Sequence, residues 1–322
     1  MRRIAAFLAL ALCAAFPGFA QNTARLPLVG VLRINNAGNN ELTATMLRDA
    51  LAGLGDVDGR DLRLEFRLAE GDAGRLPVLA EALVRDGASI IVANGSLAIR
   101  AAQRATQTIS IIATTRDLVT EGFIRSLARP GGNVTGVSKL INELDAKRLE
   151  VLKEILPSAR RFSLLIEKGT RAPADLQQTA DTAQALGVTL QNVEVSSPAD
   201  FPGAVASVRA GSAEAVNILS SPLLFNFRKE LGPLLLGEKL PAICEWQEMT
   251  ASGCLVSHGT TLREVYAMMA ALIDKMLKGA RPGDTPAQQP TRFELVLNLK
   301  VARAIGVEIP PAILGRADEV IE

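Results

Sequence analysis

Apolar residues follow two rhythms along this chain, and the alternation between them is its most regular property. Short runs rich in Val, Ile and Leu are separated by stretches in which apolar positions return every three or four residues. The first series of runs covers 28–34, 62–68, 89–93, 109–113 and 133–137; the second covers 162–166, 188–195, 214–219, 242–244 and 255–257. The stretch 41–54 shows the helical rhythm, with Leu42, Met46, Leu47, Leu51 and Leu54 on or near one stripe. Asn39 or Asn40 would cap that helix and Gly55 would end it. Strand, helix, strand at this spacing predicts parallel crossovers with helices on both faces of each sheet. The fold class expected is therefore α/β, with two doubly wound parallel-sheet lobes. A long helical stretch at 261–278, a further strand at 293–298 and a short helix closed by Gly306 follow the two series. Their position implies that the chain crosses between lobes more than once. Residues 129–138, Arg-Pro-Gly-Gly-Asn-Val-Thr-Gly-Val-Ser, read as a loop and a buried strand where one series gives way to the next. That strand ends in Ser138, a small hydroxyl residue where a ligand could sit.

The N-terminus changes the compartment. Arg2 and Arg3, an apolar run 4–16 and the small-residue zone 17–20 read as a signal peptide, cut after Ala20. The run is too short to span a membrane, which takes about 20 residues. The 302 residues left of 322 exceed the usual size of a single core, which again points to two lobes. Losing Arg2 and Arg3 takes the basic residues from 35 to 33 against 34 acids, a net charge of −1. With no basic block, nucleic acid is excluded as a partner. Of three cysteines, Cys244 and Cys254 survive export, as a disulfide or as two buried thiols.

Ligands of open parallel sheets bind beyond the carboxyl ends of the strands. Reading the residues there gives Asn35, then Asn94-Gly95-Ser96, then Thr115-Arg116-Asp117 in the first series, and Ser221, Trp246 and Ser257 in the second. Gly95 allows close backbone approach, and the N–H groups after it suit a carboxylate. Ser96, Asp117 and Ser221 are open between contacting a ligand and capping their own helices. Trp246, the one tryptophan, is open between ligand stacking and lobe packing. Catalytic motifs are missing: there is no Gly-x-Ser-x-Gly, P-loop, Gly-x-Gly-x-x-Gly or metal-ligand spacing, so neither cofactor nor metal is expected. Cys244 and the one histidine, His258, form the single conceivable nucleophile–base pair. The chain reads as a binder, not an enzyme.

Several stretches, in consistent order, resemble the ABC-transporter substrate-binding family, whose TrpX-like members bind tryptophan or tyrosine on a type I periplasmic binding protein fold. They are RPGGNVTGVS at 129–138, DAKRLEVLKEIL at 145–156, QQPTRFELVLNLK at 288–300 and ADEVIE at 317–322, with weaker matches at 69–79 and 252–260. The resemblance implies lobes joined by a multi-strand hinge and closing on one small polar solute, an amino acid or similar. It implies a first lobe of 26–138 plus 259–284 and a second of 139–258 plus 285–322. It implies a periplasmic monomer that docks at the inner membrane on a permease served by an ATPase. A pocket role carries over to Asn94 and Gly95, and the family's acidic loop residue to Asp117. The loops at 167–170 and 220–222 depart from the family pattern, so the solute need not be an aromatic amino acid. The same cleft would also serve an exported sensor that presents its ligand to a membrane receptor.

Overall fold

The computed structural model describes residues 26–139 and 141–322; the signal segment expected at 1–20 lies outside them. Among the described residues two sheets carry the architecture. The first is fully parallel: β1 (Leu28–Arg33), β2 (Arg63–Leu68), β3 (Ile90–Asn94), β4 (Ser110–Thr115) and β5 (Val134–Ser138), in spatial order β2-β1-β3-β4-β5. Its crossovers form α1 (Ala37–Ala52), α2 (Leu76–Arg85) and α3 (Ser96–Ala105). In β1 every residue is buried, because helices cover both faces. Leu28 and Leu32 join one core cluster, while Val29 and Val31 join another on the opposite face, as a period of two requires.

The second sheet comprises β6 (Arg161–Glu167), β7 (Thr189–Val195), β8 (Ala215–Ile218), β9 (Ala242–Cys244), β10 (Val256–Gly259), β11 (Glu294–Asn298) and β12 (Glu319–Ile321), ordered β12-β11-β10-β9-β8-β6-β7. Helices α4 (Ile141–Ile155), α5 (Gln177–Ala185), α6 (Phe201–Ala210), α7 (Pro222–Asn226), α8 (Arg228–Gly237) and α9 (Gln247–Thr250) accompany it. The chain then leaves β10 for α10 (Leu262–Leu277), which packs on α1, β4 and β5 of the first sheet. It returns through β11, α11 (Leu299–Ile305) and α12 (Pro311–Leu314). That excursion explains the one antiparallel pair among the described strands, β10 with β11, in register Val256↔Leu297 and Gly259↔Glu294. A strand that re-enters at the end where its neighbour left must run the other way.

Two sequence expectations shift. The first helix begins at Ala37 and ends at Ala52, so Asn40 lies inside it rather than capping it. Its side chain is engaged instead by Arg33, whose Nη1 donates to Asn40 Oδ1 at 3.0 Å. The segment 129–138 delivers β5 against β4 at very close range. A Cβ on Gly136 would stand 1.8 Å from the carbonyl oxygen of Ala113, so only glycine fits there. The return crossing is stitched to the same strand, with Ser138 N donating to Gln288 O and Gln288 N to Gly136 O, both at 2.8 Å.

Candidate functional site

The carboxyl ends of β1, β3 and β4 face those of β6, β8 and β9, and the loops between them enclose a cavity of about 60 Å³. That is room for several waters or part of one small molecule. Contacts across the two sheets close it over. Asn226 Nδ2 donates to Asn35 Oδ1. Arg116 Nη2 donates to the carbonyl of Thr170 at 2.8 Å and to Asp175 Oδ2 at 3.2 Å. Gly95, at φ 86°, lies directly under Pro222, whose Cγ would be 2.5 Å from a Cβ placed there. The positive φ and the missing side chain are both needed for this approach.

Seven of the sequence-predicted residues come together on this wall: Asn35, Asn94, Gly95, Ser96, Thr115, Ser221 and Trp246. Their polar groups are partly committed. Ser96 Oγ and Thr115 Oγ1 both donate to Glu121, the latter at 2.8 Å. Ser221 accepts from Leu224 N at 3.1 Å as the cap of α7 and donates to Glu167 Oε2 at 2.6 Å. Burial pushes the Glu167 carboxyl up, against the lowering effect of hydrogen bonds from Ser221 and Leu223 N. Trp246 meets Phe225 edge-on at 6.0 Å between ring centroids.

Three predicted residues lie elsewhere. Asp117 Oδ1 accepts from Val119 N (2.8 Å) and Thr120 N (3.1 Å), folding its own turn instead of facing the cavity. Ser138, expected at the cleft mouth, is fully buried, and its Oγ accepts from Leu118 N at 3.2 Å. Ser257 sits on β10 beside a separate groove with Thr260, Arg263 and Arg292. Asp117 and Ser138 satisfy nearby backbone rather than the cavity, and Ser257 faces the other groove. Cys244 and His258 also separate. Cys244 stands in register with Ser257, so the next residue, His258, projects from the opposite face of the sheet. Cys244 and Cys254 are both free and buried.

The strongest features of the wall were not singled out from the sequence. Arg33 ends β1, fully buried, with Nη1 also donating to Thr43 Oγ1 at 2.5 Å and its guanidinium over the rings of Phe66 (5.3 Å) and Tyr266 (5.7 Å). One signal was legible: a lone arginine inside the apolar run Leu-Val-Gly-Val-Leu-Arg-Ile. Lys139 follows β5 and donates from Nζ to Glu245 Oε1 (3.0 Å) and Ser220 Oγ (3.1 Å), 4.8 Å from the centre of the Trp246 ring. Burial lowers its pKa, while Glu245 acts to raise it.

The sequence model of a family described as "ABC transporter substrate binding protein" matches residues 29–321. A tyrosine-binding protein of Clostridioides difficile (strain R20291) is 24% identical over 261 residues, covering 80% of this chain and 75% of the relative. Among solved structures, a conserved domain protein of Vibrio cholerae superposes with TM-score 0.84 at 24% identity, covering 92% of this chain and 100% of that one. An ABC domain of Streptococcus pneumonia in complex with L-Trp gives 0.82 at 23% identity with the same coverage. A ligand-free, open substrate-binding protein of Clostridium difficile gives 0.61 at 20%, covering 92% of this chain and 99% of that one. These structures share the type I periplasmic binding fold of two parallel-sheet α/β lobes.

Proposed function

The chain belongs to the ABC transporter substrate binding protein family, and from that premise we propose that it is the periplasmic solute receptor of an ABC importer. It captures a small polar solute, an amino acid or a molecule of similar size, between two closing lobes. It then hands the solute to an inner-membrane permease powered by an ATPase. In this reading residues 1–20 direct export, cleavage follows Ala20, and the mature chain works as a monomer. One lobe is 26–138 with 259–284 and the other 139–258 with 285–322, the three crossings between them acting as the hinge. Asn35, Asn94, Gly95, Ser96, Thr115, Ser221 and Trp246 contribute to the solute site.

The observation that carries this reading is the cavity itself. It is walled by loops from both sheets and closed by contacts that exist only when the two are apposed, Gly95 with Pro222 and Asn35 with Asn226. A tyrosine-binding relative and a neighbour holding L-Trp support a solute of amino-acid size. A thermal-shift screen of amino acids, purines, sugars and small carboxylates on the mature chain tests it. A true ligand at a hundredfold excess over its Kd stabilises the folded form by about 2.7 kcal/mol, a rise in Tm of several degrees. If no solute stabilises the protein, the receptor reading fails.

A further inference from the structure

Three cations line the interlobe cavity, Arg33, Arg116 and Lys139, and among the described residues no carboxylate does. Two of the three are neutralised from behind. Lys139 pairs with Glu245 at 3.0 Å; Arg116 lies 3.2 Å from Asp175 and 3.6 Å from Glu121. Arg33 is different. Among the described residues its side chain meets only neutral oxygens, those of Asn40 and Thr43, and the faces of two aromatic rings. Its Nε and Nη2 are buried without a hydrogen-bond partner, although the residue is only 1% exposed. Burial acts to lower the Arg33 pKa, Tyr266 acts to raise it and the neighbouring Arg48 to lower it, yet a guanidinium stays charged at any pH of interest. An uncompensated buried charge is costly, and a ligand anion is the natural way to relieve it. Thr114 Oγ1, on the same wall, is likewise buried and unpartnered.

The cavity offers the opposite of what an ammonium needs. Of the acids near it, Glu121 is held by Ser96, Thr115 and Arg116 and Glu245 by Lys139, while Glu167, hydrogen-bonded by Ser221, lines a neighbouring pocket and not this one. A zwitterion would bring one negative charge to Arg33 and leave its positive charge without a counter-ion. Building on the receptor reading, we propose that the solute is a monocarboxylate without an amino group. Its carboxylate pairs with Arg33 and Thr114, and its aromatic or branched aliphatic body lies against Phe225, Trp246 and Tyr266.

Calorimetry on the mature chain at neutral pH with matched compounds tests this. The set is 3-phenylpropionate, phenylalanine, phenethylamine and 3-phenylpropanamide, with 4-methylpentanoate against leucine. Within a set, the acid should bind at least about tenfold more tightly than the amino acid, because charge-assisted pairing is gained without a stranded ammonium. The amine and the amide should show no binding. Arg33→Met should weaken the acid by about a hundredfold, and Arg33→Lys by less. The ligand-free Arg33→Met protein should melt at or above the unmodified protein, since a buried charge has been removed. Should that variant fail to fold, Thr114→Val and the preference of the unmodified protein decide the matter. An amino acid that binds more tightly than its desamino acid, or an amide that equals the acid, overturns the proposal and leaves the receptor reading standing. So does any screen ligand without an acidic group. If nothing in either experiment binds, the receptor reading falls and takes this proposal with it.

Discussion

His258 is the one imidazole in the chain and its surroundings are cationic. Burial first, then Arg148, Lys147 and Arg316, lower its pKa from 6.5 to about 4, with Asp318 opposing them. The folded protein therefore holds it neutral, whereas the unfolded chain protonates it near 6.5. Stability is complete above that value and is lost as the pH falls from about 6.5 through 4, by about 3 kcal/mol in all. Replacing His258 with Phe should remove this part of the pH dependence. Denaturant unfolding of both proteins at about pH 7.5 and 4.5 gives the difference, and a single imidazole resonance titrating near 6.5 would refute the assignment. The residue scale is where sequence reading reached least. Asp117 and Ser138 had the right chemistry in the right neighbourhood, but backbone N–H groups of the 116–120 turn claimed both oxygens. Local competition of this kind is invisible without coordinates.

At the scale of elements, the crossing after β5 is held by a buried ion pair. Lys139 leaves the first sheet and meets Glu245 at the end of β9 in the second. Glu245→Gln leaves the ammonium buried without its counter-charge, which should cost about 3–5 kcal/mol. The double variant Lys139→Met, Glu245→Leu should recover most of that loss, and chemical denaturation of all three proteins checks it. If the single variant is no less stable than the parent, the pair does not hold the crossing. The elements themselves were largely readable. All eleven strand runs expected from apolar periodicity are present, because a run of Val, Ile and Leu flanked by turn residues has few other stable fates. The edge strand β12 was not read from periodicity, since Glu-Val-Ile is short and half exposed. The antiparallel setting of β11 was missed because direction depends on where the chain returns from, not on its own residues.

At the scale of the whole molecule, the two sheets meet where a glycine lies against a proline. Gly95→Ala adds a Cβ 2.5 Å from Pro222 Cγ at a φ of 86°. We expect it to weaken solute binding tenfold or more, and to reduce the folded protein's stability by about 1 kcal/mol. Small-angle scattering should show the unmodified protein contracting when solute is added. The alanine variant should contract less at the same occupancy, and Pro222→Ala in the same chain should restore part of the contraction. Equal contraction in all three would mean that this contact does not limit closure.

The rhythm of apolar residues by itself determined the two α/β lobes, most strand positions, and the row of strand-end loops where a ligand would lie. These follow from burial and periodicity, which act over ten residues or so. Only the tertiary structure decided which of those loops face one another and which side chains are already spent. Arg33 shows the reason. As one letter in an apolar run it has no stated partner, and its charge becomes meaningful only when α1, β2 and the sequence-distant α10 pack around it at the edge of the cavity.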